Sequence, residues 1–238
     1  MLVHEGTSRS ISTDLRLGCT LAAMAGAINV TGFLVVGYYS ANMTGNLSAL
    51  AADVLGGGAV SVLSCLGLIA AFVVGGISAT LLVNAGRRHH LHAVYACGIV
   101  LEGMMLVALG ATADFLPARQ ATRMLAYGLS FLMGLQNATV THISGARVRT
   151  THMTGMLTDL GIELAQWLEH RRTPWADATA MRVRERLRLH GAIVLSFALG
   201  GIAGALSYRW CGVMVLPLMG VMLIALALPG VVRTLRRG

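Results

Sequence analysis

Residues 24–48 read MAGAINVTGFLVVGYYSANMTGNLS, and residues 132–158 read LMGLQNATVTHISGARVRTTHMTGMLT. In both, a small-residue apolar helix is interrupted by an Asn and followed by a Met-Thr-Gly turn. Gly26 matches Gly134 and Asn29 matches Asn137, 108 residues on. Met43-Thr44-Gly45 matches Met153-Thr154-Gly155, 110 residues on, so the connecting loop differs by two. Further along, Asp53 meets Glu163. Two ordered blocks at nearly constant spacing, with polar groups set in apolar helices, read as an internal duplication.

The segments around these blocks set the solvent. Of 238 residues, 55% are hydrophobic and only 12% charged, with a mean hydropathy of +0.71. A soluble surface needs more charge than this, whereas helices facing hydrocarbon need almost none. Apolar runs long enough to cross a bilayer lie at Leu17–Gly37, Val60–Val83, Ala93–Ala111, Arg123–Thr141, His190–Tyr208 and Gly212–Val232. The expected fold is therefore an all-α polytopic membrane bundle of about six spans. The first run follows Arg9, Asp14 and Arg16 like a signal peptide, but it is too long for a cleaved one and lacks a small-x-small site, so an uncleaved first span is expected.

All 18 basic residues are Arg, and the net charge is +8. They sit between apolar runs rather than on one face, which argues against nucleic acid and for topology. An N-terminus placed inside puts Arg9, Arg16, Arg87, Arg88, Arg147, Arg149, Arg171, Arg172, Arg182, Arg184, Arg186, Arg188, Arg233, Arg236 and Arg237 inside, and leaves Arg119, Arg123 and Arg209 outside. Both termini are then cytoplasmic. The division is a cytoplasmic segment 1–16, one transmembrane domain 17–232 with repeat halves 17–111 and 123–232, an Arg-rich cytoplasmic loop 171–190, and a tail 233–238.

Three spans per half is an odd number, so the second copy enters from the opposite side. That inverted repeat is common among secondary transporters. The segment Asn42–Leu55 is too short for a full crossing and suits a re-entrant or interfacial helix, as does its counterpart after Met153. Gly45, Ala49 and Asp53 fall four apart, as do Gly155, Asp159 and Glu163, so each set shares a helix face. Thr44 and Thr154 are candidate N-caps, and the start of such a helix suits an anion or a carbonyl oxygen.

The substrate-binding candidates are Asn29, Thr44, Asn46, Asp53, Asn137, Thr154, Asp159 and Glu163. Glu102 interrupts the third span with no neighbouring charge and is the proton-coupling candidate. No Walker loop, Gly-x-Ser-x-Gly elbow or zinc-protease signature is present, so no catalytic residue, metal site or cofactor is expected. Cys19, Cys65, Cys97 and Cys211 are isolated apolar-segment thiols.

The segments Ala41–Asn46, Met133–Ala138 and Arg149–Leu160 together resemble the YoaK-like family of bacterial inner-membrane proteins, over nearly the whole chain. The resemblance implies a multi-pass inner-membrane protein of this length and brings no substrate. Members similar to this chain often carry an acidic residue where Asn29 stands. The expected function is a small-solute transporter or permease with a polar site between the halves, with the bilayer and a small solute as its partners. The alternative is a non-transporting scaffold that recruits a partner through the Arg-rich loop. No assembly state is read from the sequence.

Overall fold

A computed structural model describes residues 11–56, 58–89, 91, 93–172 and 177–235. Its helices are α1 (Ile11–Val36), α2 (Met43–Gly56), α3 (Ala59–Arg88), α4 (Val94–Ala113), α5 (Ala118–Ser144), α6 (Met153–Arg172), α7 (Asp177–Cys211) and α8 (Val215–Leu235), with a 3-10 turn at Gly212–Met214. No strand occurs among the described residues.

Four segments are long and apolar enough to cross a membrane, by length and composition: Ser12–Val36, Ala59–Arg88, Val94–Ala113 and Ala178–Val232. The last spans 55 residues, and Gly212, at φ +56°, breaks it into α7 and α8. The helix expected at Arg123–Thr141 is the longer α5, absent from those four segments. Its polarity has a physical reason. It packs against α1, α3 and α4 and buries Ser130, Gln136 and Thr139 with Leu125, Leu129 and Met133, so little of it needs lipid-compatible side chains.

Apolar side chains point outward elsewhere. Val60, Leu63, Val73, Val74, Ile77 and Leu81 of α3 are exposed, while Asn29, Glu102, Gln136 and Thr150 are buried. An apolar exterior around a polar interior is the distribution hydrocarbon imposes, because inward polar groups find partners there and outward ones cannot. These are the features of a helical membrane protein.

Close crossings fix how the helices run. Gly18 meets Ile193, and Gly26 meets Phe197 and Gly201, so α1 and α7 run parallel. Gly67 meets Tyr127, Gly134 meets Phe72, and Thr80 bonds His142 at 3.1 Å, so α3 and α5 run parallel. Gly103 meets Gly220 and Gly110 meets Pro217, so α4 and α8 are antiparallel. A Cβ on Gly26 would overlap the Phe197 carbonyl oxygen, and one on Gly200 that of Ala23. The same geometry recurs between α5 and α3: a Cβ on Gly134 would overlap the Phe72 carbonyl, and one on Gly75 that of Phe131. Small residues allow this approach, and backbone contact then holds the helices together where water provides no drive.

The stretch expected as a charged loop is largely helix. Helix α6 continues to Arg172 and α7 starts at Asp177, so Arg182, Arg184, Arg186 and Arg188 lie on the first turns of a 35-residue rod. Of the stretch 171–190, only 173–176 fall outside the described residues; elsewhere the segments 1–10 and 236–238, with Arg9, Arg236 and Arg237, do as well.

Candidate functional site

The chain after α1 turns at Gly37, φ +79°, and comes back alongside it. Asn29 Oδ1 accepts a hydrogen bond from the Ala41 backbone N–H at 2.9 Å, pinning this returning segment. Asn42 then starts α2: its carbonyl accepts from the Asn46 N–H at 3.1 Å and its side chain accepts from the Gly45 N–H at 3.0 Å.

After α5 the chain turns at Gly145, in the left-handed region, and at Ala146. Asn137 Nδ2 donates to Thr151 Oγ1, and Thr150 Oγ1 lies 3.4 Å from Asn137 Oδ1. The His152 carbonyl accepts from the Met156 N–H at 3.1 Å, starting α6. The helix-starting residues are thus Asn42 and His152; Thr44 and Thr154, expected as caps, lie inside the first turn.

The two starts meet across an open cavity of about 850 Å³. Its wall includes Asn29, Tyr39, Asn42, Met43, Thr44 and Phe72 from the first half of the chain. From the second half come Asn137, Arg149, His152, Met153, Thr154, Gly155, Thr158 and Phe197. Of the residues singled out from sequence, Asn29, Asn137, Thr44 and Thr154 line this space.

The others lie elsewhere. Asn46 is buried beside Met43, its Nδ2 4.0 Å from the Met43 sulfur. Asp53, ten residues along α2, accepts a hydrogen bond from Ser61 at the α2–α3 junction. Asp159 is exposed on α6. Glu163 is buried and pairs with His190 of α7 at 3.0 Å. A helix advances about 1.5 Å per residue, so Asp53 and Glu163, two turns beyond Gly45 and Gly155 on the same face, have left the cavity.

Glu102 has no exposed surface. Its Oε1 accepts from Gln136 Nε2 at 2.9 Å, and its Oε2 has no partner. Gln136 Oε1 in turn lies 3.3 Å from the Thr150 hydroxyl, which also faces Asn137. A chain of polar groups therefore leads from the buried carboxyl to the cavity wall. Among the described residues no three His, Cys, Asp or Glu side chains gather as a metal site.

Several site residues carried no readable signal in the sequence. Phe72-x-x-Gly75-Gly76 and Phe197-x-x-Gly200-Gly201 share a pattern 125 residues apart, and both Phe residues line the cavity. Phe and Gly are ordinary in apolar spans, so only the pairing of α3 with α5 and α1 with α7 gives the pattern meaning.

The fold is that of a helical membrane protein, with an open cavity walled by polar and apolar side chains from both halves of the chain. Residues 17–228 match the family described as "Protein of unknown function (DUF1275)", and the chain belongs to that family. No curated protein and no solved structure matches it.

Proposed function

We propose that this chain is a small-solute permease of the bacterial inner membrane, with its binding site in the chamber between two inverted halves. The single observation that carries the reading is the composition of the chamber wall. Asn29 and Asn137, Met43 and Met153, Thr44 and Thr154, and Phe72 and Phe197 all contribute to it as matched pairs. A scaffold has no need of a polar space on the boundary of two related units, whereas alternating access requires one there.

Several features support the inverted repeat. The α1–α7 contact of Gly26 and Gly200 has its counterpart in the α5–α3 contact of Gly134 and Gly75. Helices α4 and α8 meet each other through Gly103 and Gly220, as elements beside a two-fold axis would. Residues 41–50 and 151–160 show the same succession of buried and exposed positions. Helix α4 opposes both α5 and α8, α3 runs with α5, and α1 runs with α7. With the turn at Gly212 reversing the chain, α1 and α4 point one way and α3 the other. Helix α2 then adds no crossing, nor does α6, which gives six spans, two half-membrane helices and both termini on the Arg-rich cytoplasmic side.

Glu102 is the proton-coupling group in this reading. A proton on its carboxyl lets it donate to Gln136 Oε1, which requires the amide to turn and withdraws the acceptor facing Thr150. Thr150 and Thr151 lead directly into α6, so one proton alters the wall of the chamber.

Flux into proteoliposomes by the Thr44→Val, Thr154→Val double variant tests the proposal. Transport should fall at least about tenfold, the loss of one to two hydrogen bonds to solute, while the variant stays folded. Unchanged flux in a folded variant would overturn the site.

A further inference from the structure

The chamber's charge is one-sided, and this extends the permease reading to a class of solute. Among the described residues its wall holds Arg149 and His152 and no carboxylate. Asp159, next in sequence to the wall residue Thr158, is exposed on α6 and outside the lining, and the other acidic groups near the wall in sequence are committed. Asp14 is paired with Arg147 at 2.9 Å, Asp53 is bonded by Ser61, and Glu163 is paired with His190. Glu102 is sealed behind Gln136.

Two helices of 14 and 20 residues also begin in the wall, at Met43–Thr44 and Met153–Gly155. Each brings the positive end of its dipole to the same space, although on α2 the Gly45 amide is already taken by Asn42. Low-dielectric walls concentrate such a field instead of letting water screen it. Phe72, Phe197 and Tyr39 add flat apolar surface to the same wall, and about 850 Å³ exceeds the needs of a bare inorganic ion.

We propose that the solute is a small organic carboxylate with an aromatic or apolar body, its charged end at the starts of α2 and α6 beside Arg149 and its body between the phenylalanines. The inference rests on the permease reading for its site, and the experiment separates the two.

In the full-length chain with Cys19, Cys65, Cys97 and Cys211 replaced by Ala, a single Thr154→Cys is labelled by two thiosulfonates of similar size. One carries a sulfonate and the other a trimethylammonium group. Phe115→Cys, on the loop between α4 and α5 at 86% exposure, is the reference. Relative to that reference, the anionic reagent should react about tenfold faster than the cationic one at position 154, the scale of electrostatic focusing in a cleft. Arg149→Gln should bring the ratio most of the way back. Benzoate should protect the thiol, whereas benzamide and benzylammonium, matched in size, should not.

Equal or cation-favouring rates overturn the anion assignment. Protection by benzamide or benzylammonium does so too and leaves the permease reading standing. Labelling at position 115 with none at 154 by either reagent means that water does not reach the chamber, and overturns both.

Discussion

Asn29 and Asn137 do the same structural work in the two halves of the chain: each holds the segment that leads into a Met-Thr-Gly helix. Asn29 takes the Ala41 N–H at 2.9 Å, and Asn137 gives its amide hydrogen to the Thr151 hydroxyl. The atoms differ. Asn29 acts as an acceptor towards backbone, so an aspartate would serve there as well. Asn137 acts as donor and acceptor together.

Asn29→Asp should therefore melt within about 1 kcal/mol of the parent, because the acceptor survives, while Asn29→Leu should lose about 1–3 kcal/mol by orphaning the Ala41 amide. At Asn137 the order changes: Asn137→Asp loses its donor and should be impaired along with Asn137→Leu. Thermal unfolding in detergent of the four variants checks this.

The glycine crossings should be intolerant in pairs. Gly26→Ala and Gly134→Ala each force a methyl into a carbonyl of the facing helix and should destabilise by about 1–3 kcal/mol or more, as overpacking does. Gly161, on α6 with open space around it, is the control. Gly161→Ala should be neutral or stabilising by up to about 1 kcal/mol. Folded yield and melting temperature distinguish them.

The most apolar helices were legible in the sequence because hydropathy decides them, and Ala93–Ala111 falls within one or two residues of the observed α4. Asn29 and Asn137 were legible because an amide in an apolar run has little reason to be there without a partner. Arg149 and Tyr39 were not, since a loop arginine and a span-end tyrosine normally face headgroups; only the return of each loop into the bundle brings them to the wall. The bond from Glu102 to Gln136 was also hidden. It joins helices whose register is set by Gly98 meeting Thr139 and Gly128 meeting Leu109, contacts without a sequence signature. The Arg-rich stretch 177–190 reads as loop because its charges hide the helical period that the observed α7 carries through it.

Glu102→Gln should fold, since an amide still accepts from Gln136, but uptake driven by an imposed pH gradient should fall to the rate without a gradient while solute exchange continues. Glu102→Ala should instead lose about 1–3 kcal/mol of stability, the cost of leaving the buried Gln136 amide without its acceptor. Gradient-driven uptake and counterflow, run in parallel on the same vesicles, separate the two effects. Coupled uptake retained by Glu102→Gln would remove the carboxyl from the mechanism.

Replacing Arg182, Arg184, Arg186 and Arg188 by Gln together should leave flux within about twofold and weaken attachment to anionic lipid, each Arg near the surface contributing about 1 kcal/mol. Vesicle flux and salt-dependent lipid binding measure these separately. Abolished function with unchanged chamber chemistry would favour a scaffold acting through this surface.

The length of α7 has a mechanical result. At about 1.5 Å per residue its 35 residues extend about 52 Å, against about 30 Å of hydrocarbon. Ile193 on Gly18 and His190 on Glu163 hold it nearest the arginine end, leaving some 8 residues, about 12 Å, between His190 and Arg182. A 10° bend of the rod beyond these contacts would sweep the arginine end by about 2 Å. In the permease reading, a rearrangement that opens the chamber would shift this end of α7, and a dye at that tip would register it.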